Sequence, residues 1–393
     1  MIFQTLDDKK ECVGVYWDGN LRFDEMPENM SKTWSYSNFL ENRDIEYASI
    51  YCLGKSIDNI CPSHLCADWE KVTERLKAFM RANKIAKVSL EENCFFDLAP
   101  QRFLKEYCEV KNKICEWVFQ NYERPKNYDH LLKIQRVLAD IKYKKVKFEE
   151  KELLMHWHEN KAKVLHSKFK GREAYCNYNL FGSITGRLTL HKHSLPILNM
   201  KKEYRAAIKP NNDFFIELDY NAAEARVVLS LLGLEQPSQD IHEYHAKNLY
   251  HCSRVDAKKR FFAWLYNPNS EDSISSQKYD RSSILKKYRT HNSVETIFGR
   301  NIKCGDFHAF NYLIQSTCAD MVLDRMVEIH NILKGRKSYV AFTLHDSVIL
   351  DFHSEDKELI RQLIEEYRNT KLGNFKTTIS AGKDLYNLDK IDI

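Results

Sequence analysis

Residues 214–226 read FFIELDYNAAEAR, and the fold is decided here. Phe214, Ile216 and Leu218 alternate with Phe215, Glu217 and Asp219, the period-two pattern of a half-buried strand, and Asp219 falls at the end of it. Ala222 to Leu232 is then rich in Ala and Leu and closes at Gly233, so the strand feeds a helix that carries Glu224 and Arg226. An acid at a strand tip is well placed to hold a metal ion. Taken alone, an Asp at a strand end is more often a helix cap or turn residue.

Working outward, residues 340–352 read VAFTLHDSVILDF, two apolar strand-like runs around His345, Asp346 and Ser347. That is a hairpin, and its Asp346 would by itself be a turn residue. Together, Asp219 and Asp346 are two strand-borne carboxylates that can meet in one sheet and hold two magnesium ions about 4 Å apart. Such a pair activates an attacking hydroxyl and stabilises a leaving pyrophosphate.

Residues 253–266, SRVDAKKRFFAWLY, begin with Ser253 and Asp256 in capping-box order and stop before Pro268, which predicts one helix. Arg254, Lys258, Phe262 and Tyr266 recur every four residues, a stripe of two cations followed by two aromatics. That order suits a triphosphate with a base stacked beyond it, although charged helix starts and core aromatic pairs are common. TGRL at 185–188 sets a glycine beside Arg187, which suits a backbone or groove contact. NYLIQSTCAD at 311–320 puts Asn311 and Gln315 on one helix face, where amides address base edges or simply pack.

The 393 residues suggest two or three substructures, and 43% apolar residues with 12 Gly and 8 Pro describe an ordered globular chain. A formal charge of +5 is mild, so nucleic-acid binding must rest on where the cations cluster. From 102 to 170 the pattern is helical, with Leu131, Ile134, Val137, Leu138 and Ile141 at helical spacing and cations from Lys142 to Arg172 among aromatics. This face reads either as solvated or as phosphate-tracking. Residues 1–100 read as a small α/β unit, with a strand at Val13–Trp17 turning at Asp18-Gly19, strands at Ala48–Leu53 and Val88–Leu90, and a helix at Trp69–Asn83. The eleven cysteines include no C-x-x-C pair, and with no signal-peptide pattern at the N-terminus a reducing cytoplasm and no membrane span are expected. Cys61, His64 and Cys66 lack a fourth zinc ligand and read as a structural loop.

TGRL, DYNAAEAR, RVDAKKRFFAWLY, NYLIQSTCAD and LHDSV occur in the order and rough spacing of the family A DNA polymerases, and the chain resembles the small, divergent members that bacteriophages encode. The resemblance covers about residues 165–393 well and 100–165 loosely. It implies an α+β right-hand polymerase: a degenerate exonuclease-like N-terminal α/β domain over 1–101, a helical thumb over 102–170, an antiparallel palm over 171–232 and 304–393, and reduced fingers over 233–303 with the nucleotide-binding helix at 253–267. By the same matching, Asp219, Asp346 and the backbone carbonyl of Tyr220 would hold two Mg²⁺ ions, with Mn²⁺ as a substitute. Arg254, Lys258, Phe262, Tyr266 and His242 would bind the dNTP, and Glu224 would be the steric gate against ribose. Arg187, Arg226, Asn311, Gln315 and His345 would lie along primer-template DNA. Departures are Ser347, where the family carries a third carboxylate, and Asn267, where a glycine usually follows the tyrosine. Asp44 and Glu46 spell the Asp-x-Glu of a proofreading site but precede the Ala48–Leu53 strand instead of ending one, so the N-terminal unit is expected to be catalytically silent. Ser347 keeps a single-subunit RNA polymerase or primer-making enzyme open as an alternative, and a catalytically silent primer-template-binding protein is a further one.

Overall fold

The computed structural model describes residues 1–9, 11–23, 28–90 and 92–391. The chain forms two compact units, Met1–Tyr143 and Lys144–Ile393.

In the first unit an antiparallel sheet of Gln4–Asp8, Glu11–Trp17 and Asn20–Arg22 turns at Asp18 and Gly19, whose φ angles of +47° and +72° are those of a tight hairpin. The helix anticipated at Trp69–Asn83 runs from Ser63 to Ile85. Two expected strands are absent. Ala48–Leu53 is instead a helical turn, Ala48–Tyr51, following a two-residue parallel pairing of Glu46–Tyr47 with Lys32–Thr33. Its Ala48 and Ile50 are buried, and so short an apolar run carries no period to separate strand from helix. Val88–Leu90 is not a strand because Val88 closes the preceding helix: Lys87 is left-handed, its N–H bonds the Lys84 carbonyl, and the Val88 N–H bonds the Asn83 carbonyl at 3.0 Å. Helices Gln101–Asn121 and Tyr128–Lys142, anticipated as part of an arm running to 170, belong to this unit, with Gln101–Asn121 packing on Ser63–Ile85. Glu46 is engaged locally, accepting a 2.8 Å hydrogen bond from the Tyr51 hydroxyl.

The second unit is built on a five-stranded antiparallel sheet in the order Tyr339–Leu344, Ser347–Phe352, Phe214–Tyr220, Thr377–Gly382, Asp389–Lys390. The strand Phe214–Tyr220 and the 340–352 hairpin of the sequence reading are thus neighbours, with Asp219 opposite Ser347 on one side and Thr378 on the other. The strand delivers its chain into the helix Ala223–Leu231, which Gly233 ends at φ +68° with the Leu234 N–H on the Leu229 carbonyl. Helix Asp306–Ile332 packs against this helix, the hairpin and the helix Ile360–Arg368, and every residue from Ser316 to Val327 is buried. A helix buried all round is a core spine. The segment from 254 to 303 is helical only in its first part. Helices Arg254–Tyr266, Ser273–Lys278 and Arg281–Tyr288 are followed by a small antiparallel sheet of Arg289–Thr290, Ser293–Glu295 and Asn301–Lys303.

One buried ion pair ties this sheet to the spine. Arg300 meets Asp320 through Nε at 2.9 Å and Nη2 at 2.7 Å, and the Asp320 side chain is 0% exposed. The guanidinium lies so close to Gly186 that a Cβ there would come within 2.4 Å of Arg300 Cζ, and the φ of +75° is itself one that glycine tolerates. Asp320→Ala would strand a buried guanidinium, so it should lower unfolding free energy by about 3–5 kcal/mol in urea denaturation. A loss below about 1 kcal/mol would put the pair in the class of solvated surface bridges.

Candidate active site

Asp219 reaches the site from the end of a strand, and Asp346 from the second position of the two-residue turn between paired Leu344 and Ser347. Because Asp219 pairs with Ser347, the register sets the two acids one residue apart across the strand boundary. The flanking backbone is strained on both sides: Ala222 at φ +53° and His345 at φ +56° occupy the left-handed region, which costs a residue with a side chain about 1–2 kcal/mol. Two tyrosines hold the arrangement. The buried Tyr367 hydroxyl donates to the Asp346 carbonyl at 2.8 Å, and Tyr220, next to Asp219, stacks on Tyr367 with centroids 4.2 Å apart and rings 12° from parallel.

The electrostatics are those of a site short of positive charge. Burial, then the neighbouring Asp346, then Glu217 push the Asp219 carboxyl up to about 8, and burial raises Asp346 as well. Among the described residues neither acid is in an ion pair, and Lys258 acts on both only through space. Two hard oxygen donors whose ionised forms repel each other suit a divalent cation, which would relieve both the burial and the repulsion. No cluster of three or more His, Cys, Asp and Glu in metal-holding geometry occurs among the described residues, and Cys61, His64 and Cys66 accordingly do not form one.

Both acids open into a cleft of about 380 Å³. Arg254, Lys258, Phe262 and Tyr266 line it, as the four-residue spacing requires, on a helix whose Ser253 hydroxyl accepts the Asp256 N–H at 3.2 Å. Phe262 and Tyr266 stack at 5.7 Å and 15°, and His242 sits 5.6 Å from Phe262. His242 is buried and its pKa is pushed down to about 4 by that burial, so at neutral pH it presents a neutral ring. Glu224, 7% exposed, receives hydrogen bonds from the Tyr266 hydroxyl and from Arg187. Burial raises its carboxyl in spite of these two partners. Arg187, Tyr220 and His345 also line the cleft.

Three sequence-picked residues lie elsewhere. Arg226, anticipated along the DNA, is 0% exposed and does architectural work: Nε donates to the Asn221 carbonyl at 2.8 Å, while its other nitrogens hold the Pro237 and Gln239 carbonyls at 3.0 Å. An arginine facing inward from a helix buried on most sides must be satisfied by oxygens of the protein itself, here also Gln236 Oε1 and Asn221 Oδ1, and the helical pattern did not distinguish it from an outward one. Asn311 and Gln315, on the spine helix, are half-buried and outside the cleft lining. Conversely, Asn221, Cys318, Ala319 and Thr378 line the cleft without having been singled out. Asp240 was missed as well. It caps the helix Ile241–His245 through Glu243 N–H, takes the Asn221 amide at 2.7 Å and holds Arg254 through Nη2 at 2.8 Å, thereby fixing a cleft cation to the strand–helix junction. Its position directly before Ile241 and His242, an N-cap acid, was the available signal.

The chain is distantly related to DNA polymerase I. It is 24% identical to DNA polymerase I of Chloroflexus aurantiacus over 265 aligned residues, which is 54% of this chain and 28% of that protein. Against the thermostable DNA polymerase I of Thermus aquaticus it is 25% identical over 245 residues, 49% of this chain and 29% of that protein. The chain thus spans under a third of the curated relatives it matches. No family model matches it. A solved structure, the POL domain of Pol1 from M. smegmatis in complex with DNA primer-template and dNTP, superposes with a TM-score of 0.56 at 12% identity, covering 72% of this chain and 76% of that one, and the two share a polymerase-domain fold.

Arg226 gives a direct check on its reassignment. Arg226→Ala leaves several buried carbonyls unpaired and should cost roughly 3 kcal/mol or more in chemical denaturation, with the folded fraction binding primer-template as the parent does. Full stability with weakened DNA binding would return Arg226 to the nucleic-acid surface.

Proposed function

We propose that this chain is a template-directed DNA polymerase adding dNTPs to a primer 3′-hydroxyl, of the compact kind that bacteriophages encode and acting in the host cytoplasm. The single observation that carries the reading is the shared cleft: Asp219 at a strand end and Asp346 in the turn beside it face the same space as the cation-then-aromatic stripe of Arg254, Lys258, Phe262 and Tyr266. The distant relationship to DNA polymerase I supports it.

In this reading Asp219, Asp346 and the Tyr220 carbonyl hold two Mg²⁺ ions, for which Mn²⁺ can substitute. When bound, these would lower the pKa of the 3′-hydroxyl and neutralise charge on the pyrophosphate leaving group. Arg254, pinned by Asp240, and Lys258 bind the triphosphate, and the neutral His242 ring offers a hydrogen bond without adding charge. Phe262 and Tyr266, already stacked on each other, form the face against which the incoming base packs. The Glu224 carboxylate, held by the Tyr266 hydroxyl and Arg187, walls off the sugar 2′ position. Arg187 and His345 meet the primer terminus and template, with Asn311 and Gln315 behind them. The Met1–Tyr143 unit acts as a non-catalytic scaffold without proofreading, and the short stretch between Pro268 and Gly299 makes compact fingers.

Ser347 favours a second reading, an enzyme that makes RNA or primers, because the related single-subunit RNA polymerases carry serine there. Glu224 opposes it, since ribose is the sugar it would exclude.

Asp219→Ala and Asp346→Ala should each reduce primer extension to background while primer-template affinity stays near that of the parent; loss of affinity in both would indicate misfolding, and persistent extension would refute the assignment. Glu224→Ala should raise incorporation of rNTPs relative to dNTPs by about ten-fold or more in single-nucleotide extension. Unaltered sugar selection would remove Glu224 from the gate, and efficient synthesis from rNTPs by the parent would transfer the assignment to RNA synthesis.

A further inference from the structure

Cys61, His64 and Cys66 do not form a metal cluster, yet the two cysteines meet. The Cys61 thiol donates to the Pro62 carbonyl at 3.8 Å, and the Cys66 thiol reaches that same oxygen at 3.4 Å and the Cys61 carbonyl at 3.4 Å. The two side chains are also hydrogen-bonded to each other. The sequence sets this up: Pro62 is the N-cap of helix Ser63–Ile85, so Cys61 is the residue before the cap and Cys66 the fourth helical residue, the two positions that close a hydrophobic staple.

The frame around the pair is held on both sides. Ile57, Ile60, Leu65 and Trp69 are buried in one core cluster against which Cys61 packs, and Trp69 Nε1 donates to Asp58 at 2.6 Å, tying the helix to the turn Ile57–Ile60. Between the cysteines, the Pro62 ring locks φ at −67°. A staple needs only two apolar side chains, which a pair of buried thiols would supply. Here one of the two is open to reagents: Cys66 is exposed while Cys61 is half-buried.

We propose that Cys61 and Cys66 are a reversible redox modification site, closing to a disulfide that fastens the start of helix Ser63–Ile85 when a low-molecular-weight disulfide is in excess over its thiol. The exposed Cys66 thiolate attacks one sulfur of that disulfide and expels one thiolate; Cys61 then gives its proton to solvent, attacks the Cys66 sulfur and releases the second. Two protein thiols are oxidised, one small disulfide is reduced to two thiols, and the two protons pass through water to them. Burial, then the hydrogen bond and charge of Cys66, push the Cys61 thiol up to about 12, and capping of Cys66 in the first step removes both of its contributions, which frees Cys61 for the second. The site stands apart from the polymerase reading and does not depend on it.

Trypsin, cutting after Lys55 and Lys71, leaves both cysteines on one peptide, Ser56–Lys71. The full chain is equilibrated over a series of reduced and oxidised glutathione mixtures, quenched in acid, alkylated and digested, and the peptide is weighed; a parallel series in urea leaves only the short sequence separation to bring the thiols together. In the native chain the peptide is expected to lose two hydrogens, and its disulfide-to-dithiol ratio at a given glutathione composition is expected to exceed that in urea by about ten-fold or more, because the fold already holds the sulfurs side by side. Cys61→Ser is expected to stop at the first step, with glutathione retained on Cys66. A native chain that remains dithiol, that takes up glutathione without closing, or that closes no more readily than the unfolded chain overturns the proposal, and a Cys66 that stays a free thiol in Cys61→Ser overturns the order of attack.

Discussion

Two like charges held close together in a partly buried place repel, and most of the Lys144–Ile393 unit can be understood as the framework that holds Asp219 and Asp346 there regardless. The antiparallel register fixes one acid opposite Ser347 and the other in the turn just before it. A one-residue slip would turn Asp219 to the other face of the sheet, so register is a functional constraint as well as a packing one. The Tyr220–Tyr367 stack and the Tyr367 hydroxyl on the Asp346 carbonyl clamp strand to turn, and the left-handed Ala222 and His345 show that the backbone bends to hold these positions. Strain of this kind is tolerated where surrounding packing over-determines it, and the buried spine from Ser316 to Val327 supplies that packing.

Around this centre, the polar side chains with the best geometry are architectural. Arg226 gathers the loop from Gln236 to Gln239 under the strand–helix junction, Arg300 joins the small sheet to the spine beneath Gly186, and Asp240 links Arg254 to Asn221. Each places a cleft residue: Asn221 at the junction, Arg187 beside Gly186, and Arg254 itself. A buried guanidinium with several partners gives directional support that an apolar contact cannot, since its planar fork fixes both distance and angle.

Local signals made much of this legible in the sequence. Period-two alternation located the strand before Asp219, the apolar runs around His345 located the hairpin, and Ser253 with Asp256 marked the start of the helix whose four-residue spacing aligned Arg254, Lys258, Phe262 and Tyr266. These elements have repeating patterns or caps, which are properties of short stretches. What escaped were features set by tertiary partners. Ala48–Leu53 was too short to carry a period, Val88 closed a helix through a left-handed lysine instead of a glycine, and Arg226 lay on a helix with no exposed face to reveal its direction. The link from Asp240 to Arg254 joins residues remote in the sequence, which its N-cap position alone does not reveal.

The most direct test of the central claim is the anomalous scattering of Mn²⁺ in crystals of the chain with primer-template and an incoming dNTP. The account predicts two manganese peaks about 4 Å apart between the carboxylates of Asp219 and Asp346, the spacing of two-metal sites. Peaks elsewhere on the chain, or none at these carboxylates with nucleotide bound, would contradict it.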